Sequence, residues 1–215
     1  MTCCPGPCAA AGHFDPKMAE RDLRRYQRHG PDATTRILLA ELRRRPLERF
    51  HLLDVGAGIG VIAAELAGAG LASVTLADAS PSNLEVARRH VAPRYASRPA
   101  RFILGDFTVT ADSLPDADIV TLDRVVCCYL DAEALLRRAA SRARQIVAFT
   151  YPRDKWYVRI AIVLENLWFR VSGNPFRAFL HSPLRMASAL EAVGFVRASH
   201  LATLQWALDL YRRRA

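Results

Sequence analysis

The sequence predicts an α/β domain in which a mainly parallel sheet carries helices on both faces. Three observations predict it. Short apolar runs alternate with helix-patterned stretches between residues 50 and 150, the signature of strands joined by crossover helices. The first apolar run empties into closely spaced glycines and then a helix, as a strand does at a ligand-binding turn. The length, 215 residues with 51% apolar and 24% charged residues, suits one such domain with a core large enough to need no staples.

Taken in order, residues 1–13 hold Cys3, Cys4 and Cys8 among prolines and glycine and read as a flexible head. Three cysteines with His13 match no compact zinc spacing, and the start lacks the basic and apolar regions of a secretion signal. Residues 14–49 read as two cap helices divided at Gly30-Pro31-Asp32, where Pro31 and Asp32 suit a helix start. Strand-like runs follow at Phe50–Val55, Ser73–Ala77, Arg101–Leu104, Ile119–Leu122 and Gln145–Thr150. Helices are expected between them at Val61–Ala69, Ser80–His90 and Ala132–Ala143. Ser80 is a good N-cap, with Pro81 at the first helical position.

Residues 151–183 read as an insertion on the substrate side. Within it Trp156, Ile160, Val163, Leu167 and Val171 recur at spacings of four, three, four and four, so they share one helical face. A helix at Met186–Val193, closed by Gly194, then leads to strands at Phe195–His200 and Thr203–Tyr211. Residues 1–215 therefore read as one domain.

Charge narrows the partners. The chain has 30 basic and 21 acidic residues, and residues 17–49 alone hold ten basic against five acidic. A basic surface attracts anions, yet no aromatic residues are interleaved to stack bases, so a solvated arginine-rich face is the plainer reading. No apolar run reaches the length of a membrane span. An odd count of five cysteines, four of them in two adjacent pairs, makes a poor disulfide framework, and the expected location is the cytoplasm. Cys127 and Cys128 read as small apolar residues.

The chemistry concentrates at Asp54-Val55-Gly56-Ala57-Gly58-Ile59-Gly60. A dinucleotide loop reads G-x-G-x-x-G, whereas this one reads G-x-G-x-G behind an acid. An acid there repels a pyrophosphate and suits a cationic or amino-bearing ligand, which points to S-adenosylmethionine. Asp78, with Ala79 and Ser80 after it, ends the second strand 18 residues beyond Gly60, the place of a carboxylate that accepts from ribose hydroxyls. Gly105, Asp106 and Phe107 end the third strand, where an acid and an aromatic suit an adenine. Asp123 and Arg124 end the fourth. Open α/β sheets bind ligands at this edge.

This ordered set resembles the class I S-adenosylmethionine-dependent methyltransferases over about residues 34–211. The resemblance implies a Rossmann-like sheet of seven strands, mostly parallel, with a reversed C-terminal hairpin. It implies that Gly56, Ala57 and Gly58 pack against the methionine part of the cofactor, that Asp78 takes the ribose, and that Asp106 and Phe107 take the adenine. Asp123 and Arg124 would then lie near the reacting centre. A narrower resemblance links the Tyr26 region, Asp123–Tyr129 and the segment from Phe179-Leu180-His181 to Phe195 with the magnesium-protoporphyrin O-methyltransferases.

The expected reaction is in-line transfer to a small hydrophobic or aromatic acceptor, O-methylation first, without a metal. Asp123, Tyr129, Tyr151 and His181 are the catalytic candidates. Tyr26, Trp156 and Ile160 are the expected acceptor contacts, with Arg28 and Arg159 placed to anchor a carboxylate. The expected partner is a small molecule rather than nucleic acid, with peripheral membrane contact left open and a monomer or homodimer as the assembly. The alternatives are an RNA or protein methyltransferase and a basic nucleic-acid-binding module. No Asn-Pro-Pro-Tyr run, typical of amino-methylating relatives, follows the fourth strand, where Asp123-Arg124-Val125-Val126 stands instead.

Overall fold

The computed structural model describes residues 14–214. Seven strands form one sheet in the order β3-β2-β1-β4-β5-β7-β6. They are β1 (His51–Val55), β2 (Ser73–Asp78), β3 (Ala100–Leu104), β4 (Ala117–Leu122), β5 (Ala143–Pro152), β6 (Phe195–Ala202) and β7 (Trp206–Arg213). The first five run parallel. β7 enters antiparallel between β5 and β6, so the C-terminal hairpin is reversed.

Side chains alternate across each strand, and the alternation sorts the core into two layers. Leu53, Val120, Val147 and Phe149 pack on one face with Leu135 and Leu136 of α6 (Ala132–Arg142) and Met186 and Leu190 of α8 (Pro183–Glu191). Leu52, Ile119, Ile146 and Ala148 pack on the other. There they meet Leu38, Leu39 and Leu42 of α2 (Ala33–Arg43), Ile62 of α3 (Val61–Glu65) and Leu84 of α4 (Pro81–Val91). Burial on both faces explains why the central strands read as continuous apolar runs. The outer strand β6 is half in water and shifts register between Arg197 and Ser199.

Helix starts follow their caps. Asp15 caps α1 (Pro16–His29), Asp32 caps α2 and Ser80 caps α4, each side chain accepting from a backbone N–H. Gly30 ends α1 with a positive φ of 71°. Several expected boundaries move. The third helix ends at Glu65 and a 3₁₀ turn covers Ala67–Ala69. β5 is longer than expected and takes in Tyr151 and Pro152, which pair with Ala207 and Trp206. β7 begins at Trp206, because Thr203 closes a turn by accepting the Trp206 N–H. Helix α7 (Trp156–Val171) lies between β5 and α8. Among the described residues no helix is long and apolar enough to cross a membrane. The cysteine head lies outside the described residues.

Candidate active site

A cavity of about 510 Å³ opens over the carboxyl ends of β1, β2, β3 and β4. The glycine turn forms its floor. Gly56, Gly58 and Gly60 all hold positive φ, which glycine adopts without strain, but they serve different ends. A Cβ on Gly58 would meet nothing within 4 Å, so this position faces open space. A Cβ on Gly56 would drive into Val125, and one on Gly60 into Val91 and Leu76. Gly56, Ala57 and Gly58 line the cavity. Gly60 does not; it permits close packing of α3 against α4 and β2, which corrects its expected role as a ligand contact.

Asp78 organises the turn. One of its carboxylate oxygens accepts the Gly58 N–H at 2.7 Å and the other the Ser80 N–H at 2.7 Å. Burial pushes its pKa up against these bonds and one from the Asn83 side chain, and a carboxylate's four lone-pair positions leave room for a further donor. Ala79 and Ser80 line the cavity beside it. Asp54 is more exceptional. Thr121 donates its hydroxyl to Oδ1 at 2.7 Å, while Oδ2 is buried without a partner among the described residues. Burial, reinforced by Asp123 and Asp78, raises the Asp54 pKa to about 7.

At the end of β3, Gly105 and Phe107 line the cavity but the Asp106 side chain does not. Asp106 caps the short helix α5 (Phe107–Thr110) by accepting the Thr108 N–H at 2.9 Å, and it accepts the Tyr129 hydroxyl at 3.0 Å. Both bonds fall on Oδ1, and Asp106 is not among the residues that line the cavity. At the end of β4, Asp123 accepts hydroxyl bonds from Thr35 at 2.5 Å and Thr150 at 2.7 Å, and burial pushes its pKa up. Arg124 stands in the left-handed region at φ 60° and pairs with Asp32 at 2.7 Å. The cap helix α2 is thereby tied to the sheet edge. Asp32 and Thr35, which sequence reasoning did not select, make that tie. A cap acid followed three residues later by a threonine was the available signal.

The opposite wall comes from Phe14, α1, α7 and the loop after it. Tyr26 lines the cavity, donates to Glu65 at 2.8 Å and has its pKa pushed up to about 12 by burial. Phe14 packs edge-on against Phe176. Val158, Ile162 and Glu165 present the inner face of α7, and burial raises the Glu165 pKa. Cys127 and Cys128 also line the cavity; the Cys127 thiol is pushed up and stays protonated. Arg25, rather than Arg28, reaches this wall.

Four expected site residues lie elsewhere. Trp156 and Ile160 are 73% and 52% exposed and do not line the cavity. Their common face is real but turned outward, because α7 is apolar on both sides and Val158, Ile162 and Phe169 form the buried one. Tyr151 belongs to the core: it is 2% exposed and donates to Asp209 at 3.0 Å. His181 bonds to the Tyr129 carbonyl at 2.9 Å and lines a separate groove with Arg159. Tyr129 is the catalytic candidate that, with Asp123, does line the main cavity. Among the described residues no group of three or more metal-ligating side chains occurs.

Residues 52–147 match the family described as a methyltransferase domain. With the sheet order and the glycine turn, the chain is similar over this span to the class I S-adenosylmethionine-dependent methyltransferases. Among curated proteins it is similar to the ubiquinone biosynthesis O-methyltransferase of Methylocella silvestris, 54% identical over 159 residues covering 69% of this chain and 59% of the relative. The enzyme of the same name from Methylobacterium nodulans is 28% identical over 155 residues, covering 69% of this chain and 61% of the relative. The chain thus spans about three-fifths of these relatives. The fold matches the magnesium protoporphyrin IX methyltransferase of Synechocystis PCC 6803 with bound S-adenosylhomocysteine. There the TM-score is 0.73 at 20% identity, covering 95% of this chain and 97% of that one.

Proposed function

We propose that the chain moves a methyl group from S-adenosylmethionine to an oxygen of a small apolar acceptor held in the cavity. Asp54 carries this reading. A buried carboxylate oxygen with no partner is costly, and here it belongs to a residue of the cavity lining, at a glycine turn whose central position faces open space. An ammonium donor answers it; a pyrophosphate would be repelled. S-adenosylmethionine offers such a group, and when bound it supplies a methyl already activated on a sulfonium.

The chain's own residues then position and screen. Gly56, Ala57 and Gly58 leave room beside the backbone, Asp78 offers its spare lone pairs to ribose hydroxyls, and Phe107 offers an apolar surface to the adenine. Asp123 and Arg124 fix the edge of β4 near the reacting centre. Tyr129 stays protonated and keeps its hydroxyl on Asp106. Glu165, the one acid on the inner face of α7, is the group assigned to take the proton from an acceptor hydroxyl, a task that favours a carboxylate with a raised pKa. The apolar wall of Val158, Ile162 and Phe176 suits a hydrophobic molecule, and the names of the curated relatives support oxygen as the acceptor atom. The cap helices 14–49 and segment 151–183 make up the acceptor side, within a cytoplasmic monomer or homodimer.

Calorimetric titration tests the reading first. Binding of S-adenosylhomocysteine without binding of NAD is expected; the reverse overturns it. Labelled-methyl transfer to a panel of phenols and hydroxylated quinone analogues then identifies the acceptor.

A further inference from the structure

The outer face of α7 is apolar and exposed. Trp156, Ile160, Val163, Leu167, Trp168 and Val171 are each more than half exposed. At about 100° per residue they fall within an arc of roughly 140° on one side of the helix. Single exposed apolar residues are ordinary, but a contiguous patch of this kind marks a contact surface. The patch continues past the helix, since Tyr157 donates to the carbonyl of Leu204, itself 73% exposed, at 2.6 Å.

Charge selects the partner. Arg170 and Arg159, the latter paired with Asp154 at 2.7 Å, flank the arc on one side, while the only acid of the helix, Glu165, lies in the cavity wall on the opposite side. Residues 153–177 hold five basic and two acidic residues within a chain of net charge +9. Two copies of the face packed together would set like-charged rims against each other. An anionic lipid surface instead accepts the arginines at its headgroups and the apolar arc beneath them, with a tryptophan near each end at the interface.

We infer that α7 is an interfacial helix that docks the protein on anionic membranes through Trp156, Ile160, Leu167 and Trp168, with Arg159 and Arg170 at the headgroups. Docking does not depend on the methyltransferase reading, because it uses the face turned away from the cavity.

Vesicle flotation tests it on the full chain. The protein is expected to float with vesicles of equal parts phosphatidylglycerol and phosphatidylcholine and far less with phosphatidylcholine alone. Added salt should weaken the binding through the screened arginine contribution. Trp156→Ser with Trp168→Ser should lower the bound fraction at least about tenfold without shifting the melting temperature, since both side chains are exposed. Val163→Ser with Leu167→Ser provides a second variant set should the first fold poorly. Arg159→Gln with Arg170→Gln should erase the preference for anionic vesicles. Absence of flotation, flotation that both apolar variants retain, or a dimer that the tryptophan variant dissociates would each overturn the proposal.

Discussion

The two walls of the cavity are built on different terms. The sheet-edge wall uses backbone: glycines in left-handed conformations, two buried carboxylates at the ends of β1 and β2 and a partly buried one just after β4, and hydroxyl or N–H donors that hold them. The helical wall uses side chains, with Phe14, Tyr26, Val158, Ile162 and Phe176 presenting rings and methyls and Glu165 the carboxyl facing them. Backbone geometry tolerates little change, whereas apolar walls accept volume-conserving swaps. Cofactor affinity should therefore fail through the first wall and turnover through the second.

The largest expected effect is on the glycine turn. Gly58→Val places a branched side chain into open space at φ 55°, so it should abolish S-adenosylhomocysteine binding, more than about 100-fold in titration, while backbone strain costs about 1–2 kcal/mol of stability. A variant that unfolds outright would show the turn to be chiefly structural. Next, Glu165→Gln should lower kcat by about 100-fold or more, the usual yield of a general base, with S-adenosylhomocysteine affinity unchanged. Loss of affinity there would break the division of labour.

Asp54→Asn sharpens it on the other side. The folded chain holds a proton on Asp54 up to about pH 7, whereas an unfolded aspartate releases it near pH 4. Its contribution to stability is thus present below about pH 4 and lost as pH rises through about 7. The asparagine variant should be more stable than the parent by about 1–2 kcal/mol at pH 8 and little different at pH 4. Its affinity for S-adenosylmethionine should fall about tenfold, and the rise of the parent's affinity with pH through 7 should vanish. The smallest effect concerns Tyr151→Phe, which removes a buried hydroxyl bonded to Asp209. It should cost about 1 kcal/mol in thermal melts and leave turnover unaltered.

These outcomes follow how legible each wall was. Asp54, the glycines and Asp78 stand out in the sequence because strand ends fix them within a few residues of backbone. The parallel sheet follows from the alternation of strands and helices, and the reversed hairpin from the family resemblance. The helical wall depends on phase, which short-range pattern does not give. The spacing of Trp156, Ile160, Val163 and Leu167 correctly groups them, but Val158, Ile162 and Phe169 repeat at the same helical period and won the buried side. Tyr151 was lost to the core because β5 extends two residues further than its apolar run suggests. Asp106 sits behind the cavity lining because a helix start needs a cap and a nearby tyrosine needs an acceptor, and its Oδ1 serves both. Thr35 bridges 88 positions to Asp123, a distance no local motif spans.

The sheet is open at both borders. β3 and β6 each offer a row of ladder groups with no neighbour beyond them, the feature through which sheets of separate molecules zip together. Both borders carry arginine, Arg101 on β3 and Arg197 on β6, and both of those side chains face water. The slip in pairing between Arg197 and Ser199 also breaks the even spacing that a stranger's strand would need. Charge and irregular spacing are the devices by which open sheets resist fibre-like growth. The molecule can thus keep a wide, strongly apolar sheet and remain dispersed while doing so.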